Sequence, residues 1–385
     1  MEYVCRDCGE RYGIYEHIAV CTCGGILDSD APPCFDPGRI YRRETGLWRY
    51  ADFLPPVPAG SRVRLGELVT PLVDAELLGV PCKLKLDHLF PTGSYKDRGA
   101  AMLVSLLKHA GASRIHDDSS GNAGSATAAY AAAAGVECAI YVPAANSPGK
   151  LSQVRAYGAE LISVEGGRQD ATEAALADSR HGVYASHNRH PAFIRGVATV
   201  GFELWEQLGG AAPAAVIAPA GNGSIVLGVF IAFSALLAAR AIERLPRLYA
   251  VQSEAYPALA EAWRRGETTV TPIAKGDTAA EGIACDFPVR GSQVLEAVGT
   301  SEGSVITVSE EEIAEALSRL VRSGHFVEPT GAVGAAGFGK LVDFLEDPGR
   351  TVVILTGSGL KAPQRVLDLV TRPAPTRQVT KRRSR

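Results

Sequence analysis

The chain has 385 residues, more than one ordinary core accommodates, so two domains with smaller additions are the expected organisation. Apolar residues make up 46% and charged residues 21%, the balance of a soluble globular protein. The formal net charge of -3 excludes a whole-chain attraction to nucleic acid or to membrane surfaces, and no charge-free apolar run is long enough to span a membrane.

The chain opens on "MEYVCRDCGE", which lacks the shape of a secretory signal. Eight cysteines without such a signal point to reduced thiols and a cytoplasmic location rather than a disulfide framework. Residues 1–30 read as a cysteine knuckle, because "CRDCGERYGIYEHIAVCTCGG" places Cys5 and Cys8, then Cys21 and Cys23, in two close pairs. Thiolates at this spacing converge tetrahedrally on zinc, and a segment with so little core needs such a staple. The second pair is C-x-C rather than C-x-x-C, so an empty ribbon packed on the main body is the competing reading. Cys34, Cys82, Cys138 and Cys285 are scattered and read as small buried hydrophobes.

Residues 31–60, rich in proline and aromatics, read as a connecting arm. Beyond them short apolar runs alternate with helical stretches. "CKLKLDHL" alternates like a strand, and "GAAMLVSLLKHAG" has helical apolar spacing ended by glycine. "SATAAYAAAAG" is a second helix, "CAIYVPA" a buried strand, "KLSQVRAYGA" a helix and "ELISVEG" a strand. Then come "AAVIAPAGNG" (strand into glycine loop), "IVLGVFIAFSALLAA" (long buried helix), "RLYAVQS" (strand) and "TVVILTGSG" (strand into glycine turn). The β-α-β-α rhythm predicts an α/β protein with parallel sheets covered by helices on both faces. Residues 371–385 are basic and proline-interrupted and read as a solvated, disordered tail.

In such sheets ligands bind beyond the carboxyl ends of the strands. Four loops answer that description: "PTGSYKDRG", "DDSSGNAGSA", "APAGNGS" and "LTGSGLK". Each is rich in Gly, Ser or Thr, and three open a helix, where backbone N–H groups can cradle an anion. The first of them frames Lys96 between Tyr95 and the Asp97–Arg98 pair, an unusual setting for a surface lysine.

In combination, "PTGSYKDRGA", "SSGNAGSATAAYAA", "PAGNGSIVLG" and "LTGSGLKAP" resemble the cofactor-binding motifs of threonine synthases and their relatives among the fold type II (tryptophan-synthase-β-like) pyridoxal-phosphate enzymes. Matching segments run from the cysteine ribbon to about residue 365. The resemblance implies two doubly wound parallel-sheet domains: a larger cofactor-binding one from residues 61–95 and 200–370, and a smaller one from 96–199. It implies pyridoxal 5'-phosphate, held covalently by Lys96, whose amine acts as general base on the substrate's α-proton once released. Asn122 would bond the phenolic oxygen of the ring. Gly221, Asn222, Gly223 and Ser224 would hold the phosphate through backbone N–H groups, and Thr356 would face the pyridine nitrogen with a neutral hydroxyl. Asp97 and Arg98 read as residues that fix the start of the helix.

One segment departs from the family. Threonine synthases carry an arginine that helps bind the substrate phosphate where this chain reads "SHNRHPAFIRG", and Phe193 stands in its place. Arg189 and Arg195 are the neighbouring candidates for that role, with Ser120 on the substrate side of the asparagine loop. His187 and His190 read as loop-exposed. The leading activity is conversion of O-phospho-L-homoserine and water to L-threonine and phosphate. The alternatives are a serine or threonine ammonia-lyase, a β-replacement synthase such as cysteate synthase, and a non-catalytic ligand-sensing relative. A homodimer acting on a small-molecule amino acid, with no nucleic-acid or membrane partner, completes the expectation.

Overall fold

A computed structural model describes residues 1–145, 151–178, 180, 182–274 and 276–371; all but the first residue of the basic stretch 371–385 lies outside them. The chain opens on β1 (Glu2–Cys5), β2 (Arg11–Gly13) and β3 (Leu27–Ser29), a small antiparallel ribbon ordered β2-β1-β3. Next come β4 (Leu72–Leu77) and β5 (Val80–Lys85), a hairpin. The strands β6 (Arg114–Asp117), β7 (Glu137–Pro143), β8 (Glu160–Val164) and β9 (Val183–Tyr184) form a parallel sheet in the order β8-β7-β6-β9. The chain then returns with β10 (Ala215–Pro219), β11 (Arg247–Ser253), β12 (Ser304–Val308) and β13 (Thr351–Ile354). These join the hairpin in a six-stranded sheet, β12-β11-β10-β13-β5-β4, parallel except at the β4 edge.

The larger sheet is covered on both faces. Val216, Ala218, Leu248 and Ala250 belong to one apolar cluster, and their neighbours Ala215, Ile217, Tyr249 and Val251 belong to another. Side chains of period two therefore enter two separate cores. This accounts for the unbroken apolar runs of β10 and β13, which leave no residue exposed. β6 was less legible because it is short and reads "RIHD"; its burial comes from helices that pack on it, not from its own apolarity.

Of the four scattered cysteines, Cys82 and Cys285 are buried and Cys138 is half-buried. Cys34 is exposed, because it lies in the arm and not in an element. No helix among the described residues is long and apolar enough to cross a membrane.

A buried ionic cluster ties the layers together. Arg98, in the first turn of the helix Lys96–His109, is fully buried, and its guanidinium donates to both Asp87 oxygens, at 2.9 Å each, and to both Glu203 oxygens, at 2.8 Å each. Lys85, in β5, donates to Glu203 at 2.7 Å and to the Thr70 carbonyl at 2.8 Å. Two cations thus face two carboxylates. Burial pushes both carboxyls up, but Arg98 more than offsets this and holds them below the ordinary carboxylate range. Arg98→Met should lower the unfolding free energy by about 3–5 kcal/mol, because two buried carboxylates are left facing Lys85 alone. Urea denaturation checks this. Arg265→Met, at an exposed ion pair, should leave the curve in place.

Candidate active site

The loops following β5, β6, β10 and β13 converge on one cleft of about 1540 Å³ between the two larger sheets. Lys96, Ser120, Asn122, Gly221, Asn222, Gly223, Ser224 and Thr356 all line it. Each of the first three loops delivers its functional residue at the start of a helix: Lys96, Asn122 and Ser224 are the first residues of Lys96–His109, Asn122–Ala134 and Ser224–Ala238. Helix N-termini with free N–H groups therefore crowd one side of the cleft.

Lys96 is half-buried, and its Nζ donates to Ser224 Oγ at 3.2 Å. The same Oγ lies 2.9 Å from the Tyr95 hydroxyl. The ammonium also lies over two rings, 4.8 Å from the Tyr95 centroid and 5.6 Å from that of Phe193. Gly223 has φ of +74°, and a Cβ there would fall 2.3 Å from a Val294 methyl. The loop can turn only because that side chain is missing, and its backbone is left bare at the head of a 15-residue helix. Thr356 is buried with its Oγ1 unpartnered among the described residues, an orphaned hydroxyl on the cleft wall.

Asn122 Nδ2 donates to Glu328 Oε1 at 2.7 Å. Glu328 caps the helix Pro329–Leu341 and also lines the cleft. Burial pushes its carboxyl up to about 7, with Lys361 and Asn122 acting against it. Asp97, beside Lys96, is likewise raised to about 7 by burial in spite of two hydrogen bonds from Thr92. The turn "VEPTG" resembles one shared by related dehydratases and synthases, but sequence reasoning did not count Glu328 among the site residues.

The structure does not bring Arg189 and Arg195 to the cleft. Arg195 is buried, and its Nη2 donates to the Ala31 carbonyl at 2.8 Å, beyond the ribbon strands. Arg189 does not line the cleft, and its carbonyl accepts from Arg290 at 2.6 Å. The guanidinium groups that do line it, among the described residues, are Arg168 and Arg365. His187 and His190 are buried rather than exposed, because the ribbon and the buried Arg290 cover their loop. Burial, with Arg290 nearby, lowers His190 to about 3, so its ring is neutral. His187 lines the cleft. Phe193 is fully buried beneath Lys96, and a Cβ on Gly99 would lie 2.4 Å from its ring.

At the ribbon, Cys5, Cys8, Cys21 and Cys23 place their sulfurs within 4.8 Å of one another. The Cys5–Cys23 and Cys8–Cys21 separations are each 3.5 Å.

The profile of the family described as "Pyridoxal-phosphate dependent enzyme" matches residues 63–357. The threonine synthase of Methanocaldococcus jannaschii is 32% identical over 375 residues, covering 93% of this chain and 92% of its own length. That of Methanosarcina acetivorans is 31% identical over 384 residues, covering 96% and 94%. Among solved structures, the fungal L-serine ammonia-lyase from Rhizomucor miehei superposes with a TM-score of 0.68 at 25% identity, over 79% of this chain and 98% of that one. The T.th. threonine deaminase gives a TM-score of 0.64 at 29% identity, over 75% and 92%.

The raised Glu328 carboxyl has a consequence for stability. An acid at 4.5 when unfolded and about 7 when folded destabilises the fold as pH rises through that interval. The penalty is absent below 4.5, grows up to about 7 and is constant above it. Glu328→Gln, neutral throughout, should remove its share of the decline, while Asp97 keeps its own. Thermal midpoints of the two proteins should therefore diverge between pH 4.5 and about 7, the variant holding its value better. Parallel profiles would show that the carboxyl is not raised.

Proposed function

The chain belongs to the pyridoxal-phosphate dependent enzyme family, and from that premise we propose that it eliminates or replaces a group at the β or γ carbon of an amino acid, with conversion of O-phospho-L-homoserine and water to L-threonine and phosphate as the leading activity. The observation that carries this reading is the convergence of Lys96, the bare Gly221–Ser224 backbone and the unpartnered Thr356 hydroxyl on one cleft. An amine, an anion cradle and an orphaned hydroxyl suit the carbonyl, phosphate and ring nitrogen of the cofactor. The named activity is supported by the two archaeal threonine synthases, whose match extends over nearly the whole chain.

In this reading Lys96 would hold the cofactor covalently, the backbone of residues 221–224 would hold its phosphate, and Asn122 and Thr356 would serve its ring. When bound, the cofactor supplies an electron sink for the charge that develops at the α carbon. The chain's own residues orient and exclude. Ser224 and Tyr95 hold the Lys96 amine against the loop, and the aromatic faces of Tyr95 and Phe193 shield it from water. The Lys96 amine, when free, would take the substrate's α-proton at Nζ. A hydroxyl at Thr356, not a carboxylate, leaves the ring nitrogen without a strong proton partner, which favours elimination and replacement over amino-group exchange.

A second reading, ammonia release from serine or threonine, is favoured by one observation: Phe193 underlies Lys96, and Arg189 and Arg195 do not reach the cleft. Of the two guanidinium groups on the cleft wall, Arg365 is paired with Glu281, so a substrate phosphate then depends on Arg168, which is exposed. Borohydride reduction should leave the cofactor attached at Lys96, and Lys96→Ala should abolish that link. Of O-phosphohomoserine, O-phosphoserine, serine and threonine, the first should be the best substrate. Arg168→Ala should raise its KM about tenfold or more and leave unphosphorylated amino acids nearly unaffected. Turnover confined to serine or threonine replaces the leading activity with the second reading.

The four ribbon thiols are proposed to hold one zinc ion. A tetrahedral thiolate site spaces its sulfurs by about 3.8 Å, close to the 3.5 Å separations here. Metal analysis should find about one zinc per chain, removable by chelators with the cofactor's visible band retained. Metal-free protein with four titratable ribbon thiols would leave the ribbon empty.

A further inference from the structure

The wall of the cleft carries a pair that the reading above does not use. His187 is buried but lines the cleft. Its Nδ1 lies 3.0 Å from Asp117 Oδ1. Asp117 is fully buried at the end of β6. Its carboxylate is itself fixed, accepting from the Asp118 backbone N–H at 2.9 Å and from the Thr127 hydroxyl at 3.3 Å. A carboxylate on Nδ1 keeps the proton there and leaves Nε2 as the exchanging nitrogen.

Nε2 has no hydrogen-bond partner among the described residues, yet it is not sealed away as the orphaned nitrogens of His88 and His190 are. That nitrogen therefore keeps accessible surface, on a residue that lines the cleft. The imidazole also meets Phe193 edge-on, with centroids 6.1 Å apart and planes at 70°. Lys96 Nζ lies over that same phenyl ring. One buried aromatic thus carries the lysine and the histidine as neighbours.

We propose that Asp117 and His187 form a proton-transfer pair serving the substrate's side chain, with Lys96 serving its α carbon. His187 is the catalytic residue of the pair and Asp117 its positioning residue; the proposal rests on the elimination or replacement chemistry of the preceding section. In the step, the bond between the β or γ carbon and the leaving oxygen breaks, and its electron pair stays with oxygen. That oxygen takes the proton from Nε2 of the imidazolium. In replacement at the β carbon, water adds its oxygen to the carbon that lost the leaving group. In conversion of O-phosphohomoserine the oxygen leaves the γ carbon, that carbon takes up a proton removed from the substrate's own carbon chain, and water adds its oxygen at the β carbon. In both cases water returns one proton to Nε2, restoring the pair. In elimination the proton is restored from solvent. No oxidant or reductant is involved.

A merely structural histidine would affect all substrates alike, so the test varies the leaving group. Wild type, His187→Gln and Asp117→Asn holoenzymes are compared on whichever of serine and O-phosphohomoserine is turned over, and on β-chloro-L-alanine, whose chloride needs no proton. His187→Gln should lower kcat on the oxygen-leaving substrate by about 10²–10⁴-fold and leave chloride release within about threefold. Asp117→Asn should show the same pattern more weakly, and the visible cofactor band should be unchanged in both. Equal losses on both substrates, or no loss on either, would overturn the proposal. Nitrogen-15 NMR of labelled histidine in the holoenzyme at alkaline pH gives a reading independent of turnover. The signal missing in His187→Gln should report the Nδ1–H tautomer, and the Nε2–H tautomer would also overturn the pair. Should wild type turn over none of these compounds, nor O-phosphoserine or threonine, the chemistry of the preceding section fails, and the tautomer alone decides whether the pair stands.

Discussion

The Arg98 guanidinium is the contact on which the rest of the site depends. It lies two residues beyond Lys96 and is held by Asp87, which follows β5, and by Glu203, in the helix Thr199–Gln207. Charges in such a place add little net stability over apolar residues of similar size. What they do is exclude alternatives. A helix whose first turn must present its cation to two carboxylates cannot slide or rotate by a residue, since the cation would then be buried without a partner. The position of Lys96 is fixed by the same constraint, one half-turn away.

The remaining parts follow from where the sheets end. Strands that run parallel put all their carboxyl ends on one side, so residues separated by hundreds of positions meet at a single cleft. Lys96 and Ser224 touch in this way, as do Asn122 and Glu328. The ribbon takes part from outside. Arg290 donates to the Leu27 carbonyl in β3 and to the carbonyls of Asn188 and Arg189, so the loop that carries His187 is fastened to the cysteine segment.

Much of this was legible in the sequence, for reasons that differ by residue. The four ligand loops stood out because bare backbone next to an anion demands glycine and small hydroxyls, and two of them follow continuous buried runs, β10 and β13. The ribbon stood out through cysteine spacing. The pairing of Asp117 with His187 did not, since it joins the end of one short strand to a loop 70 residues away. The burial of His187 and His190 was missed because the segments that cover them come from the two far parts of the chain. Arg195 was misjudged through helix geometry. Residues two apart on a helix face about 200° from each other, so once Phe193 turns toward Lys96, Arg195 is directed at Ala31.

Gly99 and Phe193 form a lock and key within the fold, and this limits what either position can hold. The ring occupies the space that a side chain at position 99 would fill. An arginine introduced at 193 alone would enter a fully buried site as an unpaired charge, and a larger residue at 99 alone would collide with the ring. The two positions are therefore coupled: a side chain at 99 is accommodated only where the residue at 193 gives up the space that the ring now fills.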